Sequence, residues 1–321
     1  MSRTEPATPG LARFAKATAV ATFFLLMAGA SVTSTGSGLA VPDWPLSYGK
    51  VFPRMTGGVL FEHGHRMIAG VVATAMLVLC VWAWRREGRG WARGLAFTAG
   101  ALVLFQAVLG GLTVILLLPP PVSVAHAATA MLVFGLVVSF AVVTSRAWLA
   151  TPRGGSPAAA RLAPWAATTT VLVFLQIFVG AVMRHLGAGL AFADFPLAGG
   201  KLFPAIPTFF LAVHFYHRVG AVLVTLAVWA LAVAASRAAG EAPRVAGLAR
   251  AAALLVVLQF ALGAASVLTR LHPAITVLHH AGGAALFGVL LTLTLWCYRL
   301  SPARAAADRD VAPVLAGEVA R

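Results

Sequence analysis

Four histidines and one glutamate are the residues of this sequence whose types and spacing could do chemistry. Glu62 is the only acidic residue inside a membrane-length apolar run, and it precedes His65 by three residues, on the same face of a helix. Three further apolar runs carry a histidine near their beginning, at His126, His217 and His279. Ionisable groups in hydrocarbon are costly, so these side chains indicate a functional site.

The composition is that of a membrane protein. Of the 321 residues, 60% are hydrophobic and 10% are charged, and the mean hydropathy is +0.90. Apolar runs of about 20 residues are long enough to cross a bilayer as helices. The sequence therefore predicts an all-α polytopic membrane protein with eight transmembrane helices, at about 14–35, 59–84, 94–118, 122–145, 166–187, 208–235, 249–268 and 275–298.

The positive charge is concentrated in the connections on one side of the predicted membrane. The net charge is +15, and 17 of the 24 Lys and Arg residues lie in segments 1–16, 85–93, 146–161, 237–250 and 299–321. By the positive-inside rule both termini lie in the cytoplasm. We therefore expect a multi-pass protein of a bacterial-type cytoplasmic (inner) membrane, in contact with the lipid bilayer and with no nucleic-acid partner.

The sequence repeats itself with an offset of 151 residues. Segment 29–46, GASVTSTGSGLAVPDWPL, returns as segment 180–197, GAVMRHLGAGLAFADFPL. Over the later matches the offset grows to 152 and 153, in the pairs His65 and His217, Gln106 and Gln259, Gly110 and Gly263, and His126 and His279. We predict two tandem four-helix bundles, residues 1–150 and 151–321, related by a pseudo-twofold axis along the membrane normal.

The four histidines of the even-numbered spans should lie at about the same depth, because these spans all run inward. Two imidazoles on two helices of each half could clamp one flat metal complex, and a heme between bundle helices has this geometry. A bare zinc or iron ion would usually need three or more ligands. The structural alternative is a core histidine that bridges helices. His63, His185 and His272 lack the register of the four and are interpreted as loop or boundary residues.

Four further polar residues are less certain members of the site. His214 stands where the first half has Glu62, and His280 directly follows a candidate ligand histidine. Arg66 and Arg218 follow ligand histidines and could bind heme propionates, or extend to the membrane interface.

The cysteines, Cys80 and Cys297, are expected to be free apolar core residues. The outer connections at about 36–58 and 188–207 are rich in Gly and Pro and predict compact, non-helical lids.

These motifs resemble the heme A synthases, the COX15/CtaA family. The resemblance rests on segments 35–39 (TGSGL), 42–46 (PDWPL) and 62–66 (EHGHR), together with the histidines of the other even-numbered spans, and covers about residues 17–298. It implies an oxidoreductase that converts a methyl group of heme O to the formyl group of heme A through hydroxylated intermediates, for cytochrome oxidase biogenesis.

The resemblance also implies a role for each site residue. By position, His65 and His126 would be the axial ligands of the iron of heme O and heme A, in a catalytic first half. His217 and His279 would hold the iron of heme b in the second half, and Glu62 would be the acid needed for turnover. A heme O synthase is implied as the source of heme O, while the electron donor or acceptor and a homo-oligomeric state stay open.

The sequence departs from many bacterial members of that family at one place. They carry a cysteine pair where this chain has Val41 and Ser47.

Two other classes of protein stay open. A quinol-linked di-heme b-type electron-transfer cytochrome would explain the four histidines but gives Glu62 no task, and a heme transporter or chaperone is suggested by the tandem repeat and the intramembrane charge.

Overall fold

The computed structural model describes residues 8–302, and within them the fold is all-α. The α-helices are α1 (Pro9–Ser34), α2 (Gly58–Arg86), α3 (Gly90–Ile115), α4 (Pro120–Val143), the short α5 (Arg146–Ala150), α6 (Pro157–His185), α7 (Phe209–Arg237), α8 (Pro243–Leu268) and α9 (Pro273–Leu300). A 3-10 helix spans Ala188–Leu190. Every α-helix except α5 is long and apolar enough to cross a membrane, so this is a multi-pass membrane protein.

The eight predicted spans are confirmed, and the boundaries differ most where helices begin on the predicted cytoplasmic side. α6 begins at Pro157 instead of 166, and α8 begins at Pro243 instead of 249. Hydropathy detects only the segment that lies in hydrocarbon, whereas the helix continues through the polar residues before it. Proline is favoured at the first position of a helix, and the side chain of Ser156 caps α6 by accepting a hydrogen bond from the Ala159 amide.

The two halves of the chain meet at a reciprocal contact between α4 and α9. A Cβ added at Gly288 on α9 would lie 3.3 Å from the ring of Phe134, and one added at Gly135 on α4 would lie 3.1 Å from the ring of Phe287. Small residues let membrane helices approach closely. A reciprocal contact is what a twofold relation produces, so this seam is compatible with the predicted tandem repeat. One apolar core contains buried residues from both halves.

The outer connections of the two halves fold in the same way. Asp43 accepts hydrogen bonds from the amides of Tyr48 and Gly49 at 2.7 and 2.8 Å, and its equivalent Asp194 accepts two such bonds, both at 2.8 Å. The bond from the Gly49 amide is the largest cause of the lowered pKa of Asp43. The prediction of non-helical loops is confirmed except for the 3-10 turn after α6.

The topology can be tested with reporter domains fused at the two kinds of connection. A fusion at Gly154, between α5 and α6, should report the cytoplasm, and one at Gly49, in the first outer loop, should report the opposite side. The basic residues flanking the inner connections are the physical reason, since translocating them is unfavourable. A cytoplasmic signal from the Gly49 fusion would contradict this orientation.

Candidate functional site

The structure brings the four predicted ligand histidines together as two pairs. His65, His126, His217 and His279 lie in the first three turns of α2, α4, α7 and α9 respectively. His65 is close enough to His126 for the two rings to interact electrostatically, and the same holds for His217 and His279. All four side chains are half-buried. Each half therefore contains one pair of facing imidazoles.

In the first half, each imidazole packs against a glycine of the preceding helix. A Cβ added at Gly29 on α1 would lie 3.1 Å from Cε1 of His65, and a Cβ added at Gly110 on α3 would lie 3.4 Å from Cε1 of His126. Carbon atoms in contact normally lie farther apart than this. A methyl group at either position would occupy space that the histidine ring needs.

The second half repeats this arrangement with tighter contacts. A Cβ added at Gly180 on α6 would lie 2.9 Å from Cε1 of His217. A Cβ added at Gly263 on α8 would lie 3.0 Å from Cε1 of His279. All four histidines thus lie in notches that only glycine leaves open. These notches hold each ring edge against a helix and direct it between the helices instead of toward lipid.

The second pair of histidines is fixed by hydrogen bonds to the ring. Nδ1 of His279 lies 3.1 Å from the backbone oxygen of Gln259. Because a carbonyl oxygen only accepts, Nδ1 carries the proton, and Nε2 is left free to bind a metal. Nδ1 of His217 lies 3.1 Å from Nε2 of Gln176, which also donates to the backbone oxygen of His217 at 2.7 Å.

The first pair lacks such bonds. Within residues 8–302, Nδ1 of His65 and Nδ1 of His126 form no hydrogen bond of good geometry, although each ring interacts with the backbone of the helix behind it, at Leu25 and at Gln106. Leu25 occupies the position that corresponds to Gln176 in the repeat, so the first half has no amide to offer there. The ring of His65 therefore contacts a backbone group at the position where the ring of His217 contacts an amide side chain.

Glu62 is buried, with 4% of its surface exposed, and is attached to both its own helix and the outer loop. Its Oε1 accepts a hydrogen bond from Nη2 of Arg66 at 2.6 Å, and its Oε2 accepts one from the amide of Val41 at 2.9 Å. Nη1 of Arg66 also donates to the backbone oxygens of Asp43 and Leu46, both at 2.8 Å. The carboxylate therefore lies in a fixed network about one helical turn from the ligand histidine of α2.

His214 replaces the carboxylate in the second half and contacts the equivalent loop. Its ring nitrogens lie 3.0 Å from Nε of Arg218 and 3.3 Å from the backbone nitrogen of Phe192. Arg218 donates to the backbone oxygens of Leu197 and Phe192, both at 2.8 Å. The guanidinium groups of Arg66 and Arg218 therefore hold the outer loops. Their binding of heme propionates stays a prediction.

The interpretation of His63 as a boundary residue is wrong. It is buried in the second turn of α2, and its Nδ1 lies 2.7 Å from Oγ of Ser47. Ser47 and Val41 are fully buried beneath the outer loop. At the two positions where the sequence departs from the resemblance, the structure therefore has a hydrogen-bonded hydroxyl and an apolar side chain.

His185 and His272 also lack the repeat register of the four candidate ligands, and they do lie at helix ends. His185 is the last residue of α6, and His272 is the residue before α9. His280 lies where the two halves meet and is close enough to His185 and Arg184 for electrostatic interaction. Both cysteines are free, and the prediction of a core position is confirmed for Cys297, which is buried, whereas Cys80 is half-buried.

Two imidazoles in each half suit a heme better than a bare metal ion. In the part of the chain that the structure describes, no group of three or more His, Cys, Asp or Glu side chains is placed to hold a metal ion. A heme needs only two axial protein ligands, because the porphyrin supplies the other four. The glycine notches, which give each ring a place between helices, are a feature that such a flat complex would fit.

Comparison with known proteins agrees with this geometry. Residues 56–291 match the family COX15-CtaA, described as "Cytochrome oxidase assembly protein", and the match includes all four ligand histidines and Glu62. The chain belongs to the COX15-CtaA family.

Similar proteins of known assignment cover nearly the whole chain. Proteins named "Heme A synthase" from Shouchella clausii (strain KSM-K16) and Geobacillus kaustophilus (strain HTA426) are 28% and 31% identical to it. These alignments cover 90% and 91% of this chain, and 95% and 94% of the two relatives. A third, from Geobacillus thermodenitrificans, is 30% identical over 89% of this chain and 91% of its own length.

Sequence reasoning identified the histidines of this COX15-CtaA member but not the glycines behind them. All four glycines are identical between the repeats, in the pairs Gly29 with Gly180 and Gly110 with Gly263. That identity is the signal that could have identified them. It does not say what each glycine contacts, because the sequence does not show which helix faces turn toward each other.

The glycine notches predict a sharp difference between two substitutions in α8. Gly263→Ala should displace the ring of His279 and lower the bound heme b by roughly tenfold or more, since overpacking of this kind costs about 1–3 kcal/mol. Gly247→Ala, in the same helix, places its Cβ where no atom lies within 4 Å, and heme content should be unchanged. Absorption spectra of the purified variants give the heme content. Equal heme content in both variants would show that the notch is not needed.

Proposed function

We propose that this COX15-CtaA member is a heme A synthase, an oxidoreductase that converts a methyl group of heme O to the formyl group of heme A for cytochrome oxidase. Family membership and the length of the alignments to proteins of that name support the proposal. The observation that carries it is an asymmetry. Two similar histidine pairs lie in the two halves, and only one has a buried carboxylate beside it.

The first half is the proposed substrate site, where His65 and His126 bind the iron of heme O and later of heme A. In the second half, His217 and His279 are the proposed axial ligands of a resident heme b. The backbone oxygen of Gln259 accepts a hydrogen bond from Nδ1 of His279 and leaves its Nε2 free for iron, which suits a heme that stays bound.

Glu62 is the proposed proton carrier of the reaction. Conversion of the methyl group to the formyl group is a four-electron oxidation that replaces two hydrogen atoms with one oxygen atom. The electrons pass to an external acceptor, and the hydroxylated intermediates release protons as they are oxidised. A carboxylate one turn from the axial ligand of α2 can accept such a proton. Arg66 and the amide of Val41 stabilise its ionised form by direct hydrogen bonds at 2.6 and 2.9 Å.

The site lies at the predicted outer end of the bundle, beneath the loop between α1 and α2. This loop covers the carboxylate, since Val41 is fully buried against it. Heme b, when bound, would supply electron-transfer chemistry to the neighbouring half. We further propose that heme O arrives from a heme O synthase in the same cytoplasmic membrane.

Substitution of Glu62 tests its role as the proton carrier. Glu62→Gln keeps the size and an acceptor oxygen for the Val41 amide, but it loses the second acceptor, which faces Arg66, and it cannot take up a proton. We expect normal insertion and heme binding, with formation of heme A lowered roughly 100-fold or more in cells that supply heme O. The hemes are extracted and separated by chromatography. Near-normal heme A would mean that the carboxylate only holds the loop.

Substitution of the histidines tests the assignment of the two hemes. His217→Ala or His279→Ala should remove heme b from the purified protein and leave heme O or heme A bound. His65→Ala or His126→Ala should do the reverse. Detection of heme b alone in the unsubstituted protein from heme O-producing cells would instead support an electron-transfer cytochrome.

A further inference from the structure

Arg184 is a cation at the outer end of α6, where the two halves meet. Its Nη2 donates hydrogen bonds to the backbone oxygen of Ala30 at 2.7 Å and to Oγ of Ser34 at 2.6 Å, both on α1 of the other half. Across residues 8–302, no Asp or Glu side chain forms an ion pair with it, and its Nε and Nη1 donate no hydrogen bond. The guanidinium therefore has donors and a charge that the protein itself does not compensate.

The position of Arg184 relates it to the second histidine pair. It follows Gly180 by four residues, so the two share one face of α6 and are separated by a rise of about 6 Å. Gly180 packs against the ring of His217. Arg184 is also close enough to His279 for electrostatic interaction. The cation thus lies above this pair of ligands, on the side of the outer surface.

Two histidines accompany the guanidinium at this junction. His280 is close enough to Arg184 and to His279 for electrostatic interaction, and His185 is close enough to Arg184 and to His126. In the first half the repeat has Thr33, Ser34 and Ala127 at the equivalent positions, none of which carries a charge. The cluster of Arg184, His185 and His280 is therefore supplied by the second half alone, and it lies between the two histidine pairs.

We propose that Arg184 binds a propionate carboxylate of the heme held by His217 and His279, an inference that rests on the proposed heme b site. Arg184 is half-buried, and a partly desolvated cation in a membrane protein is stabilised by an anionic partner. A heme between the two histidines carries two carboxylates, and a guanidinium binds such a group with paired donors. Arg66 and Arg218 are already used by the outer loops, whereas Arg184 has donors to offer.

This contact has a measurable consequence for the heme. A positive charge beside a propionate favours the reduced iron, so its removal should lower the midpoint potential. In full-length Arg184→Gln, we expect the equilibrium constant for reduction of heme b to fall by about tenfold. This corresponds to a midpoint potential lower by about 59 mV for one electron. Arg184→Lys keeps the charge and should shift the equilibrium less. Redox titration of the purified protein, followed by its absorption spectrum, measures the potential.

Ser34→Ala is the matched control. It removes a protein acceptor of the Arg184 guanidinium but leaves the charge in place, so the potential should stay at the wild-type value. Redox-difference infrared spectra of the wild type and Arg184→Gln should also differ in the carboxylate stretching bands of the propionates.

The outcomes separate this inference from the proposed function. Full heme b content in Arg184→Gln with an unchanged potential would overturn the propionate contact and leave the heme b site intact. If Arg184→Gln loses heme b, recovery of the heme in Arg184→Lys supports the contact, and loss of heme b in both variants overturns it in favour of a purely structural role. Absence of heme b from the wild-type protein would refute the site and the inference together.

Discussion

The close contact between an imidazole and a glycine on the preceding helix is the constraint on which the arrangement of the site depends. Between membrane helices the hydrophobic effect supplies little attraction, because lipid chains are as apolar as the helix surface. Packing and hydrogen bonds must therefore determine which faces meet. At Gly29, Gly110, Gly180 and Gly263 the absence of a side chain lets the helices close around the rings. The depth and direction of all four imidazoles follow from these contacts.

On this shared scaffold the two halves have different chemistry. A carboxylate in one half corresponds to His214 in the other, and Leu25 in one half corresponds to Gln176 in the other. The first change provides a proton acceptor, and the second provides a hydrogen bond to a ligand ring. One half can therefore specialise in turnover and the other in retention of a cofactor, while the packing that supports both is kept.

The outer loops connect the helices to the chemistry. In both halves an arginine one residue after the ligand histidine donates to backbone oxygens of the loop. In the first half the same network includes the carboxylate of Glu62 and the amide of Val41. Any displacement of that loop would therefore move or release the proton carrier. The buried contact between Ser47 and His63 fastens the loop without a disulfide.

The sequence by itself determined the eight spans and the family, and it predicted the orientation and the candidate ligand histidines, because hydropathy, charge bias and repeated motifs are local properties of the chain. The tertiary structure alone decided which residues meet. The sequence does not show that Glu62 accepts the Val41 amide, that His63 is buried, or that Arg184 reaches Ala30 of the other half. In a membrane helix the lipid-facing and core-facing sides are both apolar, so hydropathy does not distinguish them.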